Sequence, residues 1–246
     1  MYKGKTVSII LPTYKEKKSI KKVITDFFAT GFVDEIVVVN NNAEKGTDQE
    51  VKKTKARLVY EPEQGYGPAF RRGILEAKGD YIITSEPDGT FQARDLERFL
   101  VYANQYSIVL GTRTSQISAL SGLGMGIGRK FANVIEAKTI EVLFNSVTLT
   151  DVGCAYKLFK KEALKKIIPT WSKENSALFN TELTLLTVSQ KIPFVEIPIT
   201  YSKRVGKSSV VTNHYQVISW AFRIQFYILI FWLRWIISKN ADKHKQ

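Results

Sequence analysis

Cysteine is almost absent from this chain: its 246 residues contain one, Cys154, and only two histidines. A lone cysteine forms no intramolecular disulfide, and so few sulfur and imidazole ligands argue against a structural zinc site. No histidine lies near Cys154 in the sequence to activate it as a nucleophile, so it reads as a small core residue. Seven prolines and 15 glycines are too few for a collagen-like chain, and 44% apolar with 12% aromatic residues is too much for a disordered one. Long apolar runs are missing near the start. Val7–Leu11 stops at Pro12, short of the roughly 7–15 residues of a secretory signal, so the N-terminus is expected to face the cytoplasm.

Acid is what the C-terminal part lacks. The whole chain carries 36 Lys+Arg against 23 Asp+Glu, a net charge of +13. Residues 1–156 are nearly balanced, with 21 basic and 18 acidic residues, whereas residues 157–246 hold 15 and 5. A basic region implies an anionic neighbour: nucleic acid, an anionic lipid surface or a phosphorylated substrate. Against nucleic acid, the cations cluster beside an apolar segment rather than among exposed aromatics, and no nucleic-acid motif is present.

That apolar segment, Tyr215–Ser238, contains three Trp, three Phe and six Ile. Arg223 and Arg234 bracket an apolar run that itself contains Gln225 and is well short of the about 20 residues of a simple span. On a helix, Gln216, Ser219, Arg223, Tyr227, Arg234 and Ser238 fall into a polar stripe interrupted at Ile230. The pattern predicts a helix lying in a membrane interface. Lys239, Lys243 and Lys245 would add roughly 1 kcal/mol each near anionic lipid. A helix buried on the domain or on a second copy of the chain, and a true span, are the other readings. Residues 1–212 are expected to form one domain, with 213–246 as the membrane-associating helix and tail.

The front half alternates strand and helix patterns. Val7–Leu11, Glu35–Val39, Arg57–Tyr60 and Tyr81–Thr84 read as strands, with helical spacing over Ser19–Ala29 and Pro68–Ala77. This order implies an α/β fold with a mainly parallel sheet covered by helices on both faces, and ligands at the carboxyl ends of its strands. Pro12-Thr13-Tyr14-Lys15-Glu16 follows the first strand and Asn40-Asn41-Asn42 the second; taken alone they could equally be turn-formers. Gly65-Tyr66-Gly67 after the third strand lets backbone approach a ligand, although it is neither a Walker loop nor a dinucleotide fingerprint. Glu86-Pro87-Asp88 after the fourth strand places two carboxylates where they can hold one divalent cation and the diphosphate it bridges.

With Gly111-Thr112-Arg113, Thr150-Asp151-Val152-Gly153-Cys154 and Arg204-Val205-Gly206-Lys207-Ser208-Ser209 these segments form seven ordered motifs. Together they resemble the family 2 glycosyltransferases of the GT-A fold, and among them the polyprenyl-phosphate sugar transferases, over roughly residues 5–210. The resemblance implies a Rossmann-like, mixed, mainly parallel sheet. It also implies inverting transfer of a sugar from a nucleoside diphosphate sugar to a lipid phosphate at the cytoplasmic face of a membrane. Pro12, Thr13, Glu16, Asn40 and the loop carrying Gly65, Gly67, Arg71 and Gly73 would contact the nucleotide. Glu86 and Asp88 would take the place of the family's metal-binding Asp-x-Asp, with Mg2+ or Mn2+ bound. Two departures are Glu86, where the family usually has Asp, and Asn40, where many members have Asp.

A phosphate acceptor is already anionic near neutral pH, its second pKa being about 6, so it needs cations rather than a base. Arg113, Arg129, Arg204 and Lys207 are the candidates for that role. A saccharide or other hydroxyl acceptor would need a general base, for which Asp151 is the candidate. Asp88, through the metal, and Asp151 are therefore the expected catalytic carboxylates. For Glu182, helix capping, a structural ion pair and a catalytic part remain open.

Overall fold

Strand β1 (Val7–Thr13) is apolar through Leu11, with Val7, Ile9, Ile10 and Leu11 all fully buried. Such a strand is stable only with sheet on both edges and helices on both faces, and the computed structural model places it so. Residues 1–115, 126–206 and 214–243 are described. After β1 come α1 (Lys17–Ala29), β2 (Glu35–Asn40), α2 (Thr47–Lys52), β3 (Arg57–Tyr60), α3 (Tyr66–Glu76), β4 (Tyr81–Thr84), α4 (Leu96–Tyr102) and β5 (Ile108–Thr112). There follow α5 (Ile127–Phe144), β6 (Lys157–Lys160), α6 (Lys161–Ile167), α7 (Leu178–Ser189), β7 (Phe194–Pro198) and α8 (His214–Lys243).

The strands form one sheet in the order β3-β2-β1-β4-β6-β5-β7. Strands β1 to β4 are mutually parallel, β6 runs antiparallel to both β4 and β5, and β7 is parallel to β5. The chain steps outward from β1 to β3 and then returns to β4 on the other side of β1. That reversal opens a crevice beyond the carboxyl ends of β1 and β4, where a ligand can sit. It brings the Pro12–Glu16 and Glu86–Asp88 segments to the same place.

The expected edge strand at Pro198–Tyr201 is shifted. The strand runs from Phe194 to Pro198. The Thr200 amide donates to the Asp95 carboxylate, which draws the chain off the ladder. Tyr201 then makes an antiparallel bridge to Phe91, the Ser202 amide donates to the Thr90 carbonyl, and the Val205 amide donates to the Asp88 carbonyl. Residues 201–205 are thus laced onto the segment that follows β4.

Helix α8 packs one face on α5 and α7. Ile224 and Ile228 are buried, Gln225 donates to Thr139, and Trp232 donates to the Leu143 carbonyl. A second face carries Tyr215, Ile218, Phe222, Phe226, Leu229, Leu233 and Ile237, all exposed and spaced by three and four. The third face is polar and includes Gln216, Ser219, Arg223, Arg234 and Ser238, but the expected stripe loses Tyr227, which is half-buried on the packed side. Buried-helix and interfacial patterns therefore coexist on different faces of one helix. By length and composition Tyr215–Ala241 could also cross a membrane, with a mean hydropathy of 1.4.

Gly73 illustrates how close the layers approach: a Cβ there would overlap Ile10 Cγ2 of β1 and meet Val39 Cγ2 at 3.1 Å. Gly73→Ala is expected to lower stability to urea by about 1–3 kcal/mol, because the β-sheet neighbours cannot withdraw, while leaving the donor KM unchanged. An altered KM at wild-type stability would return Gly73 to the binding site.

Candidate active site

The crevice divides into two adjoining clefts. The first, about 360 Å3, is bounded by Pro12, Thr13, Glu16, Asn41, Gly65 and the Glu86–Asp88 segment. Its walls are built by turn chemistry. The Glu16 carboxylate accepts hydrogen bonds from the Tyr14 and Lys15 amides at 2.7 and 2.8 Å, folding the chain after β1 into a tight corner. Asn41 donates to the carbonyls of Glu61 and Glu63 and accepts from the Gly65 amide, fastening the end of β2 to the loop before α3. A Cβ on Gly65 would meet the Asn175 carbonyl at 2.7 Å, so this loop can lie against the 172–176 segment only as glycine.

At the floor, Asp88 is 1% exposed. One of its oxygens accepts from the Thr90 amide and hydroxyl at 2.8 and 2.6 Å. The other, Oδ2, is buried without a hydrogen bond and lies in ion-pair contact with Arg204 at 2.6 Å. Glu86 accepts from the Tyr66 hydroxyl at 2.9 Å and stands 3.5 Å from Arg204, while Asn180 donates to the Tyr66 oxygen at 2.6 Å. Burial first, and the neighbouring Asp88 charge second, push Glu86 up to about 7. Two adjacent carboxylates, the buried Asp88 and the partly exposed Glu86, supply the oxygen ligands that fit a hard divalent cation. Among the described residues no cluster of three or more His, Cys, Asp or Glu exists. The remaining ligands of such an ion would have to come from diphosphate and water.

The second cleft, about 470 Å3, shares Tyr66, Glu86, Ala177, Arg204 and Trp220 with the first and is walled beyond them by Arg113, Arg129 and Lys203. Arg113 follows β5 and is held by Asp151 through Nε and Nη2 at 2.7 and 2.8 Å, and its own amide also donates to that carboxylate. Glu196 of β7 in turn accepts from the Thr150 and Asp151 amides and the Thr150 hydroxyl, which fixes the turn that presents Asp151. Burial opposes the Asp151 charge, but the Arg113 guanidinium outweighs it and holds this carboxyl below its ordinary value. Asn180 Oδ1 and Thr181 Oγ1, on the same wall, are buried without hydrogen-bond partners. The cleft opens at Glu136 onto an apolar groove of about 530 Å3 between α5 and α8, lined by Phe131, Ile135, Ile218 and Phe222.

Several sequence expectations are corrected by this geometry. Asn40 faces away from the cleft, donating to Asp48 and accepting from the Ala43 amide, and its neighbour Asn41 lines the cleft instead. Gly67 is pressed against the Glu174 carbonyl. Arg71 donates to the carbonyls of Ser172 and Glu174 and covers the Phe179 ring, so it ties α3 to that segment. Gly73 is a packing contact. Asp151 is buried and fully engaged with Arg113, which removes it as a base and makes it the residue that positions a cation. Glu182 bonds the Ser172 amide and hydroxyl, a structural role. Lys207 lies outside the described residues. Pro12, Thr13, Glu16, Gly65, Glu86 and Asp88 are brought together, as are Arg113, Arg129 and Arg204. Asn180 and Glu136, which also line the second cleft, were not singled out, since an asparagine and a glutamate on helices carry no spacing signal.

The family model of glycosyl transferase family 2 matches residues 8–168. The chain belongs to that family. Two relatives of this family 2 glycosyltransferase are instructive. A dolichyl-phosphate beta-glucosyltransferase of Saccharomyces cerevisiae is 24% identical over 230 residues, covering 81% of this chain and 68% of the relative. A dolichyl-phosphate hexose transferase of Haloferax volcanii is 26% identical over 207 residues, covering 83% and 86%. Among solved structures, glucosyl-3-phosphoglycerate synthase from Mycobacterium tuberculosis, in complex with Mn2+, UDP and glucosyl-3-phosphoglycerate, superposes with a TM-score of 0.68. It is 14% identical and covers 93% of this chain and 80% of its own, a likeness of fold.

Within this family 2 glycosyltransferase Glu136 is 3% exposed, and burial, followed by the Asp151 charge, pushes it up to about 8 against the opposing Arg113. The folded protein therefore keeps a proton that the unfolded chain releases above the ordinary value of 4.5. The stability this contributes is complete below that value and is lost as pH rises toward 8. Glu136→Gln does not titrate, so its urea-unfolding free energy should gain on the wild type across that interval, by on the order of a few kcal/mol. Parallel stability curves would show that Glu136 ionises normally.

Proposed function

We propose that this glycosyltransferase moves a hexose from a UDP-linked donor to a polyprenyl monophosphate, with inversion, while lying in a membrane interface. The observation that carries the acceptor is the second cleft, which is lined by Arg113, Arg129 and Arg204 and opens onto an apolar groove of about 530 Å3. The hydroxyl-acceptor alternative loses support with Asp151, whose carboxylate is committed to Arg113. Glu136 keeps its proton near neutral pH and so adds no negative charge against a phosphate. The dolichyl-phosphate relatives support the same acceptor, and the Mn2+- and UDP-bound synthase supports the donor and metal.

In this reading Pro12, Thr13 and Gly65 shape the nucleotide pocket, and Tyr66 and Thr90 hold Glu86 and Asp88 in place. A divalent ion on those carboxylates, magnesium or manganese, would offset the charge that builds on the departing diphosphate. Arg113, Arg129 and Arg204 hold the acceptor phosphate, already anionic, on the opposite side of the sugar. No proton need be removed from it.

What supports an interfacial position is the division of α8 into three faces. Ile224 and Ile228 anchor the helix to the domain, leaving Phe222, Phe226 and Ile237 free to enter lipid. Arg223 over Trp220 and Lys239 over Trp235 pair cations with aromatic rings, as suits the headgroup level.

Incubation with labelled UDP-glucose, Mn2+ and dolichyl phosphate should give an acid-labile, solvent-extractable sugar lipid. Label appearing only in water-soluble saccharide would overturn the acceptor. Asp88→Asn should reduce turnover by about 10²–10³-fold or more with the fold retained; Mn2+-dependent activity near wild type would remove the metal from this site. Phe222→Glu with Phe226→Glu should weaken binding to anionic vesicles by about two orders of magnitude, since each ring buried in lipid contributes roughly 1.5–3 kcal/mol. Unchanged sedimentation would place the membrane contact elsewhere.

A further inference from the structure

Arg204 stands at the wall between the two clefts, and both are lined by it. Its guanidinium lies 2.6 Å from Asp88 Oδ2 and 3.5 Å from Glu86 Oε2. A magnesium or manganese ion bound to Asp88 Oδ2 would sit about 2.1 Å from that oxygen. A divalent ion on that oxygen would compete with the guanidinium, because the two positive charges repel at such short range. We propose that Arg204 and the divalent ion are alternative partners of Glu86 and Asp88, so that metal loading of the donor cleft releases Arg204 to hold phosphate in the acceptor cleft. The inference rests on the metal reading of those two carboxylates.

The local structure suits such an exchange. The backbone of 201–205 is fixed to the Asp88–Phe91 segment by the Ser202 and Val205 amides and the Tyr201 bridge, so the Arg204 Cα stays in place. Only a long, flexible side chain, 29% exposed, has to turn. Arg113 differs in kind, because Asp151 holds it by two side-chain hydrogen bonds and no metal ligand is involved. Arg113 is a fixed part of the acceptor cleft, and Arg204 is a part supplied when the donor side is ready. The coupling is reciprocal: a phosphate that draws Arg204 away strengthens metal binding by the same factor.

Two measurements on the full chain test this, and both call for tighter binding, which a damaged fold does not produce. Free Mn2+ can be followed by electron paramagnetic resonance without nucleotide. Arg204→Ala should bind Mn2+ about tenfold more tightly than wild type, within the usual range of coupling between sites. Equal or weaker binding would overturn the exchange. In EDTA, with farnesyl monophosphate as probe, Asp88→Asn should bind about tenfold more tightly than wild type because Arg204 is no longer retained, and Asp88→Asn with Arg204→Ala should lose that gain. A gain that survives loss of Arg204, or no gain at all, would also overturn it. Absence of Mn2+ binding by wild type and Arg204→Ala alike, even with UDP present, would instead remove the metal reading on which the exchange stands.

Discussion

Two carboxylates, the buried Asp88 and the partly exposed Glu86, are brought side by side after β4, and charge of one sign cannot be left uncompensated there. Much of the surrounding architecture answers that constraint. Thr90 bonds one Asp88 oxygen, Tyr66 bonds Glu86 and is itself held by Asn180, and Arg204 covers what remains. To deliver Arg204 the chain leaves β7 early and runs back along the segment that follows β4. The departure of Thr200 to Asp95, a break in the sheet ladder, is therefore part of the same arrangement.

The second cleft handles buried charge by a different device. Asp151 and Arg113 form a bidentate pair, and Glu196 holds the turn that carries Asp151. A carboxylate that could have been a base is instead used to aim a cation. Glu86 and Glu136 both hold protons more tightly than ordinary glutamates, since burial acts on each and a neighbouring aspartate adds to it. A cleft in which Arg113 is held in place and whose glutamates are partly neutral suits an anionic ligand.

Helix α8 joins the site to its surroundings. Its packed face reaches Trp220, which lines both clefts, and its exposed apolar face continues the groove that begins at Phe131 and Ile135. One helix thereby helps to wall both clefts and offers apolar surface beside them. The net charge of +13 acquires a location from this arrangement, with Arg113, Arg129, Lys203 and Arg204 around one cleft and Arg223, Arg234 and Lys239 along the helix.

The sequence by itself determined the alternation of strands and helices, the parallel sheet and the segments that meet beyond it, because apolar periodicity and loop composition are local properties. Glu86, Asp88 and Arg113 stood out for the same reason: they are charged residues just after buried strands. The tertiary structure alone decided which neighbour does what. Asn40 and Asn41 are indistinguishable in composition, yet Asn40, at the end of β2, bonds Asp48, whereas Asn41, just past the strand, is fastened to the 61–65 loop and lines the cleft. Gly67, Arg71 and Gly73 belong to a glycine- and arginine-rich motif, but their contacts lie with Glu174, Ser172 and Ile10, far off in the chain. Asp151 reads as a free acid until Arg113, 38 residues away, is placed against it. Charge compensation and close packing act through space, so the role of a residue whose partner is remote is settled only when the chain has folded.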